Sequence, residues 1–259
     1  PAGETLAEGI RRMGGDPDAL ARPLRRAGEI AAYLEMHIEQ GPVLESRGVP
    51  IGIVTGIASM AWHRIVVEGR AGHAGTTPMD LRQDALAGAA EIVLAVERIG
   101  RELAARGPFV ATAGRLRNEP NNMNVVPART ELTVDLRSHD EALLDHGWQR
   151  ILDAVEAICQ ARRLRCSTRC LGRAPGVQAD PMVMEALERA AQELGYATLR
   201  LSSGAGHDAM HVARIAPMGM LFIPCRAGLS HCPEEWAEPR DIARGAEVLA
   251  RALQWLDRR

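Results

Sequence analysis

Five short stretches set side chains that can do chemistry beside glycine and proline, where a backbone turns tightly enough to build a site. AYLEMHIEQGPVLESRG (32–48) puts His37 among Glu35, Glu39 and Gln40 in an otherwise apolar run. GHAGTTPM (72–79), NNMNVVP (121–127), SGAGHDA (203–209) and GLSHCPEE (228–235) each carry a His or Asn next to small residues. Imidazoles and carboxylates gathered on one edge are the donors a divalent ion takes. Arg137, closing TVDLR, is suited to grip a carboxylate. Each residue also has a plain structural reading. His37 fits a solvated strand face, and His73 fits a turn cap. Thr76 or Thr77 could open the helix that follows. Asn121, Asn122 and Asn124 suit a loop, Arg137 a strand end, and His231 a surface loop. His207 and Asp208 suit the first turn of a helix. The co-occurrence of the five stretches is what favours a site.

The elements that would position these residues follow from hydrophobic period. In the first stretch Leu34, Met36 and Ile38 fall on one side of a strand and Tyr33, Glu35, His37 and Glu39 on the other, with Gly41-Pro42 as the stop. A short helix is predicted over ETLAEGIRRM (4–13). From Ala61 the order reads strand (AWHRIVVEG), long helix from Asp80, two strands (FVATAGRL, ARTELTVDLRS), helix (EALLDHGWQRILDAVEAICQARR) and strand (LRCSTRCL). That β-α-β-β-α-β order is the ferredoxin-like unit. GRAPGVQA (172–179) reads as a linker. Beyond it helices alternate with strands, including a helix opened by GHDAMHVARI and a last one from about Asp241, as in an α/β sheet of mostly parallel strands. The predicted architecture is an incomplete α/β domain with a mixed sheet and helices (1–59 and 172–259), interrupted by an α+β module (60–171).

Composition narrows the function. The 259 residues carry a net charge of −2 with 46% hydrophobic and 25% charged residues, a globular balance. No basic tract interleaved with aromatics suggests nucleic acid as a partner. No apolar run approaches the ~18 residues of a membrane span, and no signal-peptide pattern opens the chain. The five cysteines lack paired CxxC spacing and read as reduced thiols, which points to the cytoplasm.

Taken in order, HIEQGP, GHAGTTPM, NVVP followed by VDLR, SGAGHDA and GLSHCPEE resemble the M20-type amidohydrolases. The likeness is to the branch of N-carbamoyl-L-amino-acid hydrolases, allantoate amidohydrolases and β-ureidopropionases, and it runs through essentially the whole chain. The resemblance implies a di-metal catalytic α/β domain with an inserted ferredoxin-like lid that also forms a homodimer. It implies that His37 and His231 are metal ligands, one on each of two Zn²⁺ or Mn²⁺ ions. Gln40 and Gly206 become substrate contacts, as do Asn124 and Arg137 in the lid, with Arg137 on the substrate carboxylate. His73 reaches the partner's site to stabilise the tetrahedral intermediate, and His207 is a further substrate or oxyanion contact. In that family a metal-bound water supplies hydroxide near neutral pH, a fixed imidazole stabilises the oxyanion, and a lid excludes water. The products are ammonia and CO₂. A histidine in HIEQGP argues against the aminoacylase and peptidase relatives.

The same resemblance implies an HxD motif and a Glu-Glu pair that these 259 residues do not match. With a chain that starts at Pro1, the expectation is the C-terminal part of a longer enzyme, inactive alone, or else a non-catalytic dimerisation fragment. Two histidines do not close a di-metal site.

Overall fold

The computed structural model describes residues 3–20 and 25–258, so Pro1 lies outside the described residues. Helix α1 (Leu6–Arg12) is set by a capping box in which the Glu8 N–H donates to the Thr5 hydroxyl and the Thr5 N–H donates back to the Glu8 carboxylate. Strand β1 (Tyr33–Ile38) has the expected period of two. Leu34, Met36 and Ile38 join one apolar cluster, and Tyr33 joins another on the opposite face. After the Gly41-Pro42 stop, the Glu39 carboxylate accepts the N–H groups of Val43 (2.9 Å) and Leu44 (2.7 Å) and so opens helix α2 (Val43–Arg47). Strand β2 (Ile51–Ile57) follows and is almost wholly buried.

The chain then passes through Ala58 into a second sheet. Its elements are β3 (Ser59–Glu68), β4 (Gly72–His73), α3 (Ala85–Ala104), β5 (Phe109–Glu119), β6 (Val125–Val126), β7 (Arg129–Ser138), α4 (Glu141–Ala161) and β8 (Arg165–Ala174). Four strands form an antiparallel sheet in the order β5-β7-β3-β8, and β4 pairs separately with β6. Helices α3 and α4 cover one face through Ile92, Val96, Ile99, Leu144, Ile151 and Val155, which pack on Ile65, Val67, Leu132, Val134 and Leu136. The fit is close: a Cβ at Gly147 of α4 would lie 2.4 Å from Phe109 Cζ. The long helix starts later than the expected Asp80. Met79–Leu81 make a 3₁₀ turn, and Asp84, not Thr76 or Thr77, caps α3 by accepting the Leu86 and Ala87 N–H groups at 3.0 Å. Along β7 the buried residues Thr130, Leu132, Val134, Leu136 and Ser138 alternate with Arg129, Glu131, Thr133, Asp135 and Arg137 on the uncovered face.

The stretch expected as a linker is instead partly strand. β8 runs to Ala174, and β9 (Val177–Gln178) pairs antiparallel with β2. The remaining elements are α5 (Pro181–Glu193), β10 (Thr198–Ser203), α6 (Ala209–Val212), β11 (Met218–Ile223) and α7 (Pro239–Leu256). They return to the first sheet, whose order is β1-β11-β2-β10. β1 with β11 and β2 with β10 are parallel, but β11 and β2 are antiparallel, so the sheet is mixed as expected, though not mostly parallel. The reason is that β11, MGMLFI, is apolar along its whole length and fits a central position in either direction. Its Leu221 and Ile223 pack under α5 and α7, while Met218, Met220 and Phe222 face Leu44, Ala209 and Met210. No helix among the described residues is long and apolar enough to cross a membrane.

A candidate active site in the cleft between the sheets

β1 delivers His37 near its C-terminal end. The ring Nδ1 is 2.8 Å from the Ile38 carbonyl oxygen. A carbonyl only accepts, so in the neutral ring Nδ1 carries the proton and Nε2 the lone pair. The His37 ring stands edge-on to that of His207, with centroids 4.8 Å apart. His207 is buried beside Phe222, and its Nε2 is 2.7 Å from the Ser203 hydroxyl. Burial first, and His37 second, pull the His207 pKa down to about 4 against the opposing pull of Asp208, so this imidazole is neutral near pH 7.

The turn that carries His207 is tied to β1 by a carboxylate. Glu35 Oε2 accepts the Ala209 N–H at 2.8 Å and the Tyr33 hydroxyl at 3.3 Å, and Oε1 lies 3.8 Å from His207 Nδ1. Asp208 makes no side-chain cap, and the helix expected over GHDAMHVARI is the short α6. Gly206 leaves room for Met60, whose Cε would be 3.0 Å from a Cβ there.

Gln40 and His231 meet across two loops. Both have left-handed backbones, with φ of 56° and 60°, which non-glycine residues adopt only where surroundings enforce it. Gln40 Nε2 donates to the Ser230 hydroxyl at 2.7 Å and lies 3.4 Å from His231 Nε2. Glu235 anchors the His231 loop, accepting the His231 N–H at 2.9 Å and the Ser230 hydroxyl at 2.8 Å. Those two bonds, the His231 N–H foremost, hold its carboxyl below the usual range.

Arg137 projects from β7 toward these loops. Its Nε and Nη2 donate to the two oxygens of Asp135 at 2.9 and 2.7 Å, and its Nη1 donates to the Gly204 carbonyl at 2.7 Å. Asp135 also accepts the Trp62 indole N–H at 2.9 Å. A guanidinium has five N–H donors, so two remain for a ligand. Gln40, Asp135, Arg137, Gly204, Phe222 and His231 are among the walls of one cleft of about 920 Å³. A smaller cavity of about 190 Å³ beside α2, lined by Glu45, Cys225, Arg226 and Asp241, contains none of the expected site residues.

His73 and Asn124 come together elsewhere. His73 pairs with Val125 on the β4–β6 ribbon, and the Ala74 N–H donates to the Asn124 carbonyl at 2.9 Å. Neither lines the cleft. The Gly75 N–H donates to His73 Nδ1 at 3.1 Å, which leaves an exposed Nε2–H as the ring's donor. The turn-cap reading of His73 therefore holds alongside any other role.

Asp135, Ser203 and Ser230 join the site without having been singled out, whereas Glu35 lies on the strand face that His37 shares and Glu235 closes the GLSHCPEE stretch. Asp135 was the most accessible from sequence, because residues two apart in a strand share a face. Glu35 and Ser203 act over long range or through a tight turn, which no local pattern signals.

The donor set fits a metal only in part. His37 has the right tautomer, with its second nitrogen held by a carbonyl. Yet among the described residues no group of three or more His, Cys, Asp or Glu side chains is placed to hold an ion. These residues do not fit a closed metal centre by themselves.

Comparison with known proteins places this geometry in context. Residues 3–255 match the model of peptidase family M20/M25/M40. The chain is 43% identical over 247 residues to N-carbamoyl-L-amino acid amidohydrolase of Geobacillus stearothermophilus, covering 95% of this chain and 60% of that protein. It is 39% identical to ureidoglycolate hydrolase of Arabidopsis thaliana over 91% of this chain and 50% of that one. The crystal structure of a hydantoinase/carbamoylase-family amidase from Burkholderia vietnamiensis superposes with a TM-score of 0.87 at 36% identity, over 98% of this chain and 60% of that chain. The chain thus spans only part of the length of these relatives.

Proposed function

The chain belongs to peptidase family M20/M25/M40, and from that premise we propose that the protein carrying it hydrolyses a C–N bond of an N-carbamoyl or ureido acid, releasing ammonia and CO₂. The observation that carries the reading is the convergence of Arg137, Gln40 and His231 on one cleft. In this reading the two free N–H groups of Arg137 grip the substrate carboxylate and orient the scissile carbonyl. Asp135 and the Gly204 carbonyl hold that guanidinium in place beforehand. The Gln40 amide, fixed by Ser230, contacts the ureido group, and Gly206 keeps the neighbouring turn close to the substrate. The neutral His207 ring borders the same region without adding charge.

His37 and His231 take the ligand role for two divalent ions, Zn²⁺ or Mn²⁺, in the whole protein, with the other donors supplied from beyond the described residues. His73 and Asn124 serve the cleft of a second copy in a homodimer built through residues 60–171, the lid, while 1–59 and 172–259 form the catalytic part. The support is their exposure on a ribbon outside their own cleft. There the His73 Nε2–H donates to the oxyanion as charge develops. Its five free cysteines support a cytoplasmic location in this reading.

The test is ammonia release by the protein that carries this chain, supplied with Zn²⁺ or Mn²⁺, from an N-carbamoyl-L-amino acid, ureidoglycolate and allantoate. Turnover of a carboxylate-bearing substrate with little turnover of its neutral amide supports the reading, and turnover of none refutes it. One observation favours a second reading, a dimerisation piece without turnover: the lack of a three-donor group among the described residues.

A further inference from the structure

Two cysteines outside the cleft make a site of their own. Cys159 lies near the C-terminal end of α4, 3% exposed within the core. Cys166 is exposed on β8, the outer strand of its sheet. Only residues 162–164 join α4 to β8, and the turn is tight. The Leu164 N–H donates to the Cys159 carbonyl at 2.8 Å, and Arg163 takes a left-handed φ of 57°. Cys166 pairs across the sheet with Val67, a core residue, so its side chain lies on the helix-covered face that Cys159 also occupies. The Cys166 thiol lies near enough to act on the Cys159 thiol electrostatically. Burial first, and the Cys166 thiol second, push the Cys159 thiol up to about 12, so the inner sulfur stays protonated while the outer one meets solvent. Cys170, on the same face of β8, is four residues from Cys166 and hence about 13 Å away at about 3.3 Å per residue, too far to bond to it.

We propose that Cys159 and Cys166 form a dithiol site that small-molecule disulfides oxidise to an intramolecular disulfide. The Cys166 thiolate attacks one sulfur of the reagent; a mixed disulfide forms, the reagent S–S bond breaks, and one reagent thiolate leaves. Cys159 then releases its proton to water and attacks the Cys166 sulfur, expelling the second reagent thiolate. The protein loses two hydrogens with their electrons, and the reagent disulfide gains them as two thiols. The product fastens the end of α4 to the open edge strand. Since the inner thiol is the poorer nucleophile at neutral pH, the second step limits the rate and quickens as pH rises.

The experiment treats the intact chain with excess oxidised glutathione at neutral and at alkaline pH, quenches with a thiol alkylator, digests with trypsin and reads masses. Arg162, Arg163 and Arg165 lie between the two cysteines, so trypsin separates them and a disulfide appears as two peptides joined. The expected result is that joined pair, formed faster at alkaline pH, with the Cys166 mixed disulfide as its precursor. Cys166→Ser, a change at an exposed position, removes the link. Cys159→Ala stops the reaction at the mixed disulfide. A mixed disulfide at Cys166 that persists at both pH values in the unaltered chain overturns the proposal, as does Cys166 joined to any other cysteine. The wild-type map decides the matter even where Cys159→Ala fails to fold.

Discussion

Asp135 and Arg137 stand two residues apart on one face of β7 and share two parallel hydrogen bonds, of 2.9 and 2.7 Å. This fork, with the Gly204 carbonyl on the third donor, fixes the guanidinium plane before any ligand arrives. A carboxylate in the cleft would then meet a donor whose side-chain entropy is already spent. The Asp135 side-chain hydrogen bonds also raise the Arg137 pKa, so the group is cationic at any working pH.

Replacing Arg137 therefore acts on substrate binding and orientation. In the active protein Arg137→Ala lowers kcat/KM on a carboxylate-bearing substrate by about 2–5 kcal/mol, much of it from stranding a charge. Arg137→Lys recovers little, because an ammonium cannot make the fork. Steady-state kinetics on the acid and its neutral amide read the effect. Equal losses on both would show that Arg137 shapes the cleft and does not grip the carboxylate.

Glu35 is predicted to hold the two halves of the histidine pair in register. Glu35→Ala leaves the buried Ala209 N–H without an acceptor, at a cost of about 1–3 kcal/mol. Glu35→Gln keeps an oxygen for that N–H and costs less. Urea midpoints of the three proteins give the ranking, and an alanine variant as stable as the parent would show that Ala209 finds another partner.

Such links explain which parts of the molecule the sequence reveals. The β1 alternation, the β7 alternation and the helices α3 and α4 are local periodicities, each carried by residues close in the chain. The Arg137–Gly204 and Glu35–Ala209 bonds join positions far apart and leave no local trace. The start of α3 is ambiguous in the sequence because GTTP and Asp84 both offer capping residues, and Asp84 takes the role. The direction of β11 was invisible for a different reason, since a strand apolar on both faces reads the same either way.

A buried base sets a further expectation. His63 is 7% exposed, stacks on Trp148 with centroids 3.6 Å apart, and has no hydrogen-bond partner at Nδ1. Burial, then nearby Arg173, lower its pKa. In the unfolded chain it takes a proton near pH ~6.5, whereas the folded chain resists until lower pH. The unfolded state therefore binds more protons in that window, and stability falls as the solution is acidified from ~6.5 toward the folded pKa. His207 and His139 are lowered as well, so the wild-type slope is a sum. Urea midpoints at several pH values should show a shallower decline for His63→Leu. An unchanged slope would place the acid sensitivity in the other two.

Metal stoichiometry bears on the cleft itself. A stable zinc or manganese centre needs three or more protein donors held in one geometry, and the described residues bring no such group together. His37 and His231 each offer one imidazole, and Gln40, which the Ser230 hydroxyl holds at 2.7 Å, is no anion. The chain by itself should therefore retain well under one divalent ion after incubation with Zn²⁺ or Mn²⁺ and exhaustive dialysis. His37→Ala and His231→Ala should leave that residual unchanged, because a lone imidazole exchanges its ion quickly. A retained stoichiometry near two, lost in either variant, would mean that side chains separate in this structure converge around those histidines when metal is present. Retention near zero would agree with donors from outside these residues completing each site.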